Sequence, residues 1–502
     1  MLFVCFFFVP FVVNKPLQLI VPSTKIMEDL QKVKQALKKQ FAFDPTQGQE
    51  KLIDAISKFL IAPEQQAAFL IKGYAGTGKT TIISALVKML PEFKIKSVLL
   101  APTGRAAKVL SNYSGKIAFT IHKKIYKQKA TGGGTLQFVR QPNLHTNTLF
   151  IVDEASMISN QGDDLKSSNQ KNLLDDLIHY IYEGTNCKLI LIGDTAQLPP
   201  VGSNESPALD LDYLKSSFDL EINAIELTEV VRQKKRSGIL ENATKVRELI
   251  RNGSEIIPEF ITKGYPDIYR MTGERLEDGL NYAYNKFGVE DTIIICRSNK
   301  NANLYNQQIR SRIRWMEEEI ATGDYMMVVR NNYFWLSEES QAGFIANGDI
   351  IEILKVKGYL ELYGFRFANV LYRLVDFPNE PPVESTIMLD TIMAETPALS
   401  YADNKRLYEA VMEDYMDIPD KRKRVQEVKK NPYFNALQVK FAYAVTCHKA
   451  QGGQWKAVFI DQGYLTDEKV NTEFLRWLYT AITRASEELF LVNFNTQFFD
   501  ES

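Results

Sequence analysis

At 502 residues the chain is too long for a single hydrophobic core and implies two or more domains. Its 45% apolar and 24% charged fractions are those of a globular protein, and a net charge of -1 excludes a histone-like basic one. Four scattered cysteines, Cys5, Cys187, Cys296 and Cys447, exclude a disulfide framework or zinc knuckle and fit a reducing compartment.

The chain opens on "MLFVCFFFVPFVV", which is apolar but shorter than the roughly 18–20 residues needed to cross a bilayer, and it lacks a signal's basic start and cleavage site. Met27 begins "MEDLQKVKQALKKQ", an amphipathic helix and a more natural start. Residues 1–26 therefore read as a mis-assigned start or disordered leader, with a membrane-associating segment as the alternative. Four apolar runs follow, "AAFLIKG", "SVLLAPT", "TLFIVDE" and "KLILIGD", each ending in a polar loop. That is the pattern of buried parallel strands in an α/β sheet, whose carboxyl ends gather ligands. "DTIIICRS", "LQVKFAYAVT" and "ELFLVNF" predict a second such sheet. Between them, from about Thr322 to Phe434, alternating pieces such as "DYMMVVRNNYFW" and "GDIIEILKV" predict an inserted β-barrel. The mixed-charge run "DIPDKRKRVQEVKKNP" reads as the solvated face of a helix.

"GYAGTGKT", after a strand and before a helix, has the context of a P-loop. Gly73, Gly76 and Gly78 let the backbone wrap phosphates at a helix N-terminus, Lys79 reaches the β and γ phosphates, and Thr80 ligates Mg²⁺. Thr77 and Thr81 complete the nucleotide-contacting set. In "TLFIVDEAS", Asp153 is the second metal residue and Glu154 the base for an attacking water, a neighbour most P-loop kinases lack. Gln197, in a loop stiffened by Pro199 and Pro200, is a γ-phosphate sensor. Hydrolysis also needs a cation on the transferring phosphoryl, worth about 10³–10⁵ in rate. The candidates are Arg232 in "LTEVVRQ" and Arg484 in "LYTAITRASEEL".

The ordered set resembles the superfamily 1 helicases, in the branch that includes RecD and the phage Dda helicase, from about Phe43 to Asn493. The resemblance implies two RecA-like P-loop domains with parallel sheets, a small hairpin insertion and an SH3-like barrel insertion. It sets the first RecA-like domain at 27–111 and 145–225, the hairpin at 112–144, the second RecA-like domain at 226–321 and 435–502, and the barrel at 322–434. It makes Gln49 in "FDPTQGQEKL" the adenine-recognising residue, with Gln47 as competitor, and assigns arginine fingers to Arg232 and Arg484. Strand contacts fall on Thr103 and Arg105 in "LLAPTGRAAKVL", on Thr120 and His122 in "FTIHKKIY", and on Thr446, His448 and Lys449 in "AYAVTCHKAQGGQW". In that last motif Gln451 and Gly452 face the phosphates, and Gln454 replaces the acidic residue common in relatives. Asn331, Asn332, Asn347 and Gly348 match the SH3-like domain of relatives that move 5′ to 3′, and Phe138 is a candidate wedge on the hairpin.

Bottom-up chemistry agrees, since tracking a strand without sequence preference needs cations for phosphates and flat groups for bases. The acid-free segment Ala101–Ala130 carries Arg105, Lys108, Lys116, Lys123, Lys124, Lys127 and Lys129, with rings at Phe119, His122 and Tyr126. The expected function is an ATP- and Mg²⁺-dependent DNA helicase acting on single-stranded DNA and duplex junctions. It is expected to be a cytoplasmic monomer, with other replication or repair proteins as candidate partners and no membrane role. An RNA helicase or RNP remodeller is the alternative, and a nucleic-acid-binding scaffold with a silent ATPase the third reading.

Overall fold

A computed structural model describes residues 24–499 apart from 42–43, 65, 131–135, 161–171, 231–236, 338–339, 341 and 466–469. The first half builds β1 (Ala67–Gly73), β2 (Lys96–Ala101), β3 (Ala118–Thr120), β4 (Tyr126–Ala130), β5 (Leu136–Arg140), β6 (Thr146–Val152), β7 (Thr185–Gly193) and β8 (Glu221–Leu227). Six of these form one parallel sheet in the order β3-β2-β6-β7-β1-β8. The central strands β1, β6 and β7 are mostly apolar and buried because both faces are covered. In β1, Phe69 and Ile71 pack with the helices Gln47–Ile61 and Lys79–Met89, while Ala68 and Leu70 pack with the helix Leu173–Glu183 on the other face.

The remaining strands are β9 (Ile268–Met271), β10 (Thr292–Cys296), β11 (Tyr325–Val328), β12 (Ile350–Leu362), β13 (Phe365–Leu374), β14 (Val383–Met388), β15 (Leu437–Phe441), β16 (Ala444–Thr446), β17 (Trp455–Asp461) and β18 (Ala485–Val492). A second parallel sheet runs β16-β10-β17-β18-β9, and β17 again splits its apolar residues, with Val458 and Ile460 on one face and Ala457 and Phe459 on the other. Strands β11 to β15 close into a barrel. The helices Tyr401–Glu413 and Lys421–Lys430 cover its outside, burying Leu407, Val411 and Val428 against Phe365 and Phe367.

Two boundaries differ from expectation. The run "LQVKFAYAVT" is not one strand of the second sheet. Leu437–Phe441 closes the barrel, and only Ala444–Thr446 enters the sheet, so the barrel ends after Phe441 rather than 434. The run reads as continuous because both halves are buried, and Tyr443 at the bend is anchored by donating to Asp324 at 2.9 Å. Expected within the 112–144 insertion, β3 instead pairs with β2 in the main sheet, so the excursion is the shorter β4–β5 hairpin, paired from Tyr126↔Arg140 to Ala130↔Leu136. Residues 1–23 lie outside the described residues, as does the Phe138 side chain. Among the described residues no helix is long and apolar enough to cross a membrane.

Candidate nucleotide cleft and strand-facing surface

In the first sheet β6, β7 and β1 are neighbours, so the loops after their carboxyl ends stand side by side. The loop after β1 turns at Gly76 (φ 79°) and Gly78 (φ 88°), left-handed conformations that glycine adopts without a Cβ penalty, and delivers the chain into the helix Lys79–Met89. Gly73 is also constrained, since a Cβ there would stand 2.9 Å from Thr77 Oγ1. Thr77 donates to the Tyr74 carbonyl (2.8 Å), and Lys79 Nζ folds over the loop to donate to the Gly73 (2.6 Å) and Tyr74 (2.9 Å) carbonyls. Thr80 and Thr81 are exposed at the helix N-terminus, where peptide N–H groups and the helix dipole favour an anion. Gln49 is buried, with Nε2 donating to the Thr77 carbonyl (3.2 Å) and Oε1 accepting from the Thr46 N–H (3.2 Å) in a capping box. Its carboxamide is thus tied to the loop and to its own helix, while Gln47 is exposed.

Past β6, Asp153 accepts from the Glu154 N–H at 2.9 Å and from the Tyr113 hydroxyl. Burial pushes the Asp153 carboxyl up and the Tyr113 bond opposes it. Glu154 sits at φ 52°, ψ 37°, a strained region for a non-glycine residue and one often used at functional sites. Burial raises its carboxyl as well, against the Arg484 charge, which lowers it. Gln197, in the loop after β7, is 5% exposed, and its Oε1 has no hydrogen-bond partner among the described residues. A buried acceptor of this kind is costly unless a donor reaches it.

The second domain closes the cleft. Tyr479, in the helix Thr472–Ile482, accepts from the Ala75 N–H (2.9 Å) and donates to Asp194 (2.7 Å). Thr480 Oγ1 accepts from the Leu198 N–H (2.9 Å), and Gln451 Nε2 donates to the Leu198 carbonyl (2.7 Å). Arg484 is buried and donates to the Thr480 and Gly453 carbonyls at 3.1 Å each and to Thr483 Oγ1 at 3.2 Å. Arg232 lies outside the described residues. Sequence reasoning missed Tyr113, Asp194, Tyr479 and Thr480. Asp194 ends the run "KLILIGD" three residues before Gln197, and Tyr479 and Thr480 lie in "LYTAITRASEEL" with Arg484, so proximity to a motif was the available signal.

On the strand-facing side Thr103 and Thr120 are helix N-caps, accepting from the Ala106 and Lys123 N–H groups at 3.2 Å each. Arg105 stacks 4.0 Å above the Trp455 ring centroid and donates to the Gln454 carbonyl. His122 pairs with Tyr126 at 5.6 Å between ring centroids, and Tyr126 donates to Asp176. Phe119, half-buried, packs on the core while Lys123 and Lys124 lie over its ring. Two cations of this segment reach the barrel, Lys108 through Asp376 (2.8 Å) and Lys123 through the Ala342 carbonyl (2.9 Å). Across the cleft Thr446 starts the short helix Cys447–Ala450; burial lowers the His448 pKa and pushes Lys449 down to about 8, with Lys440 adding to the shift. Gly452, expected among the phosphate contacts, packs on the start of the helix Gly104–Ser114. A Cβ there would lie 2.8 Å from Ala106 Cβ.

Residues 46–255 match the family model of an AAA domain, and residues 441–492 that of a UvrD-like helicase C-terminal domain. An uncharacterized protein of Acanthamoeba polyphaga mimivirus is 24% identical, over 84% of this chain and 94% of that one. The ATP-dependent DNA helicase dda of Enterobacteria phage T4 is 28% identical, over 57% of this chain and 61% of that one. The ATP-dependent RecD2 DNA helicase of Deinococcus radiodurans is 32% identical, over 35% of this chain and 21% of that one. With a P-loop sheet facing a second parallel sheet across this cleft, a closed barrel inserted into the second, and the two domain matches in that order, the chain is similar to the superfamily 1 helicases, Dda and RecD2 among them.

Proposed function

We propose that the chain is an ATP-dependent DNA helicase that moves 5′ to 3′ along single-stranded DNA and opens duplex junctions. The observation that carries this is the segment Thr446–Trp455. Its Gln451 holds the loop of the γ-phosphate candidate Gln197, while its Gly452 and Trp455 pack on Ala106 and Arg105 of the strand-facing helix. One element thus touches both the nucleotide cleft and the strand surface.

The residues suit ATP and Mg²⁺. A glycine loop leads into a helix N-terminus, Lys79 is within reach of anionic oxygens, and Gln197 presents a buried oxygen without a partner among the described residues. Mg²⁺, when bound, supplies positive charge to the phosphate oxygens, and Thr80 and Asp153 are the residues that would hold it. Lys79 neutralises phosphate charge, and Glu154, its carboxyl raised by burial, takes the proton from the attacking water. Arg484 and Arg232 supply cationic charge from the second domain. Gln49, fixed on the P-loop, serves the adenine side. Alternating cleft closure moves the grip of Thr103, Arg105, Thr120 and His122 relative to that of Thr446, His448 and Lys449. The names of the Dda and RecD2 relatives favour DNA as the strand. Polarity, monomeric state, cytoplasmic location and replication or repair partners rest on family resemblance.

The test is ATP-driven strand displacement on duplexes with only a 5′ or only a 3′ single-stranded tail, alongside Lys79→Ala. Unwinding from the 3′ tail alone would refute the polarity, and activity surviving Lys79→Ala would refute the mechanism. Preference for RNA tails would establish the alternative reading.

A further inference from the structure

The loop that carries Gln197 is held at both flanks by the opposite domain. On one side Asp194 accepts from Tyr479 at 2.7 Å, and its other carboxylate oxygen accepts from the Ala196 N–H at 3.0 Å, bracing the turn. On the other side both backbone groups of Leu198 are taken, the N–H by Thr480 Oγ1 and the carbonyl by Gln451 Nε2. Gln197 itself makes no side-chain bond from Oε1 among the described residues, so its placement comes from its neighbours. The Tyr479 hydroxyl has a second partner, the Ala75 N–H of the P-loop, at 2.9 Å. A single buried oxygen therefore joins the phosphate loop, the sensing loop and the helix that ends two residues before Arg484. The bonds of Tyr479, Thr480 and Gln451 hold only when both domains are in place, because in each the donor and acceptor are split between them.

We infer that Tyr479 is a positioning residue for hydrolysis, with Thr480 as its companion: together they set Gln197 against the phosphate loop when the domains close. Neither touches the reacting atoms. The inference rests on the ATPase reading above and deepens it by naming what makes Gln197 competent.

Tyr479→Phe removes the oxygen and keeps the ring in its buried place. In the full-length chain with saturating single-stranded DNA, kcat for ATP hydrolysis falls about 10-fold, while KM for ATP and the melting temperature stay near wild type. Gln197→Ala lowers kcat too, and the double variant Tyr479→Phe/Gln197→Ala is no slower than Gln197→Ala alone, because the hydroxyl acts through the glutamine. Thr480→Val, of equal volume, gives the same pattern and covers the case in which Tyr479→Phe fails to fold, while Thr480→Ser retains activity. Additive losses in the double variants, or a kcat loss that tracks the melting temperature, overturn the inference. Hydrolysis that survives Lys79→Ala overturns the ATPase reading beneath it, whereas a Lys79-dependent wild type with additive doubles overturns the positioning role alone.

Discussion

Gly452→Ala separates two costs that the structure assigns to different states of the molecule. The first is conformational. Gly452 sits at φ 73°, where an L side chain costs about 1–2 kcal/mol, and the second domain bears that cost whether the cleft is open or shut. The second is steric and lies between domains. The new Cβ would stand 2.8 Å from Ala106 Cβ, where carbon atoms prefer about 3.5–4.0 Å. Relieving it requires the two surfaces to part by about 1 Å or to accept an overpacking cost of about 1–3 kcal/mol. Opening removes this second cost, so it weighs on the closed state and not on folding. Urea unfolding should therefore show a loss of about 1–2 kcal/mol. DNA-stimulated ATPase kcat should fall by about 10-fold or more, beyond what the stability loss explains. Adding Ala106→Gly removes the opposing Cβ, and the double variant should regain most of kcat while becoming less stable by about a further 1 kcal/mol, the usual cost of glycine within a helix. A double variant as slow as Gly452→Ala, or a single variant with wild-type kcat, would refute the assignment of this contact to the closed cleft.

Three further outcomes follow from the site. Burial pushes the Asp349 carboxyl up to about 7, even though it accepts the Ala346 N–H. Because the folded value lies above the unfolded one of about 3.9, its contribution to stability is full below pH ~4 and is lost as pH rises to ~7. Asp349→Asn should flatten the loss seen between pH 5 and pH 8 in urea titrations, and an unchanged slope would count against the burial argument. Arg105→Ala should weaken single-stranded DNA binding and make the salt dependence shallower by about 0.7 in the log–log slope. Weaker binding at an unchanged slope would assign Arg105 to packing on Trp455 rather than to phosphate. Glu154→Gln should lower kcat by about 10²–10⁴ and leave ATP affinity within a few-fold, and lost affinity would contradict its role as base.

The parts legible in the sequence were those where local chemistry and the chain's apolar pattern agree. "GYAGTGKT" between a strand and a helix, "TLFIVDE" ending on Asp153, and apolar runs buried on both sheet faces each carry their structural context with them. Boundaries failed where two elements meet inside one buried run. Leu437–Thr446 is mostly buried, Gln438 and Lys440 included, because the barrel and the sheet both cover it, so no exposed turn residue marks the bend at Tyr443. The hydroxyls of Tyr113, Tyr479 and Thr480 were invisible for another reason. Each bonds a partner 40 or more residues away, and a tyrosine in an apolar helical run reads as core until its oxygen is seen. The approach of Gly452 to Ala106 was out of sight as well, because a glycine pair beside a phosphate motif suggests backbone approach to a ligand and gives no sign of a neighbouring helix.

That approach bears on how the cleft is joined to the candidate strand surface. Gln451, Gly452 and Gly453 are consecutive, and each contacts something different. Gln451 donates to the Leu198 carbonyl beside Gln197, and Gly452 faces Ala106 and Thr103. Gly453 leaves room for Arg105 and Trp455, and its carbonyl accepts from Arg484. Three residues span at most about 10 Å, so no slack separates the nucleotide loop from the strand-facing helix. The glycines do not loosen the link. A Cβ at Gly452 would meet Ala106 at 2.8 Å, and one at Gly453 would meet Trp455 at 2.6 Å, so their smallness is spent on contact rather than on freedom. Packed interfaces of this kind switch between arrangements instead of deforming continuously. Any displacement of Leu198 is therefore passed through Gln451 to Gly452 and Ala106, in the helix that begins beside the strand-contact candidates Thr103 and Arg105.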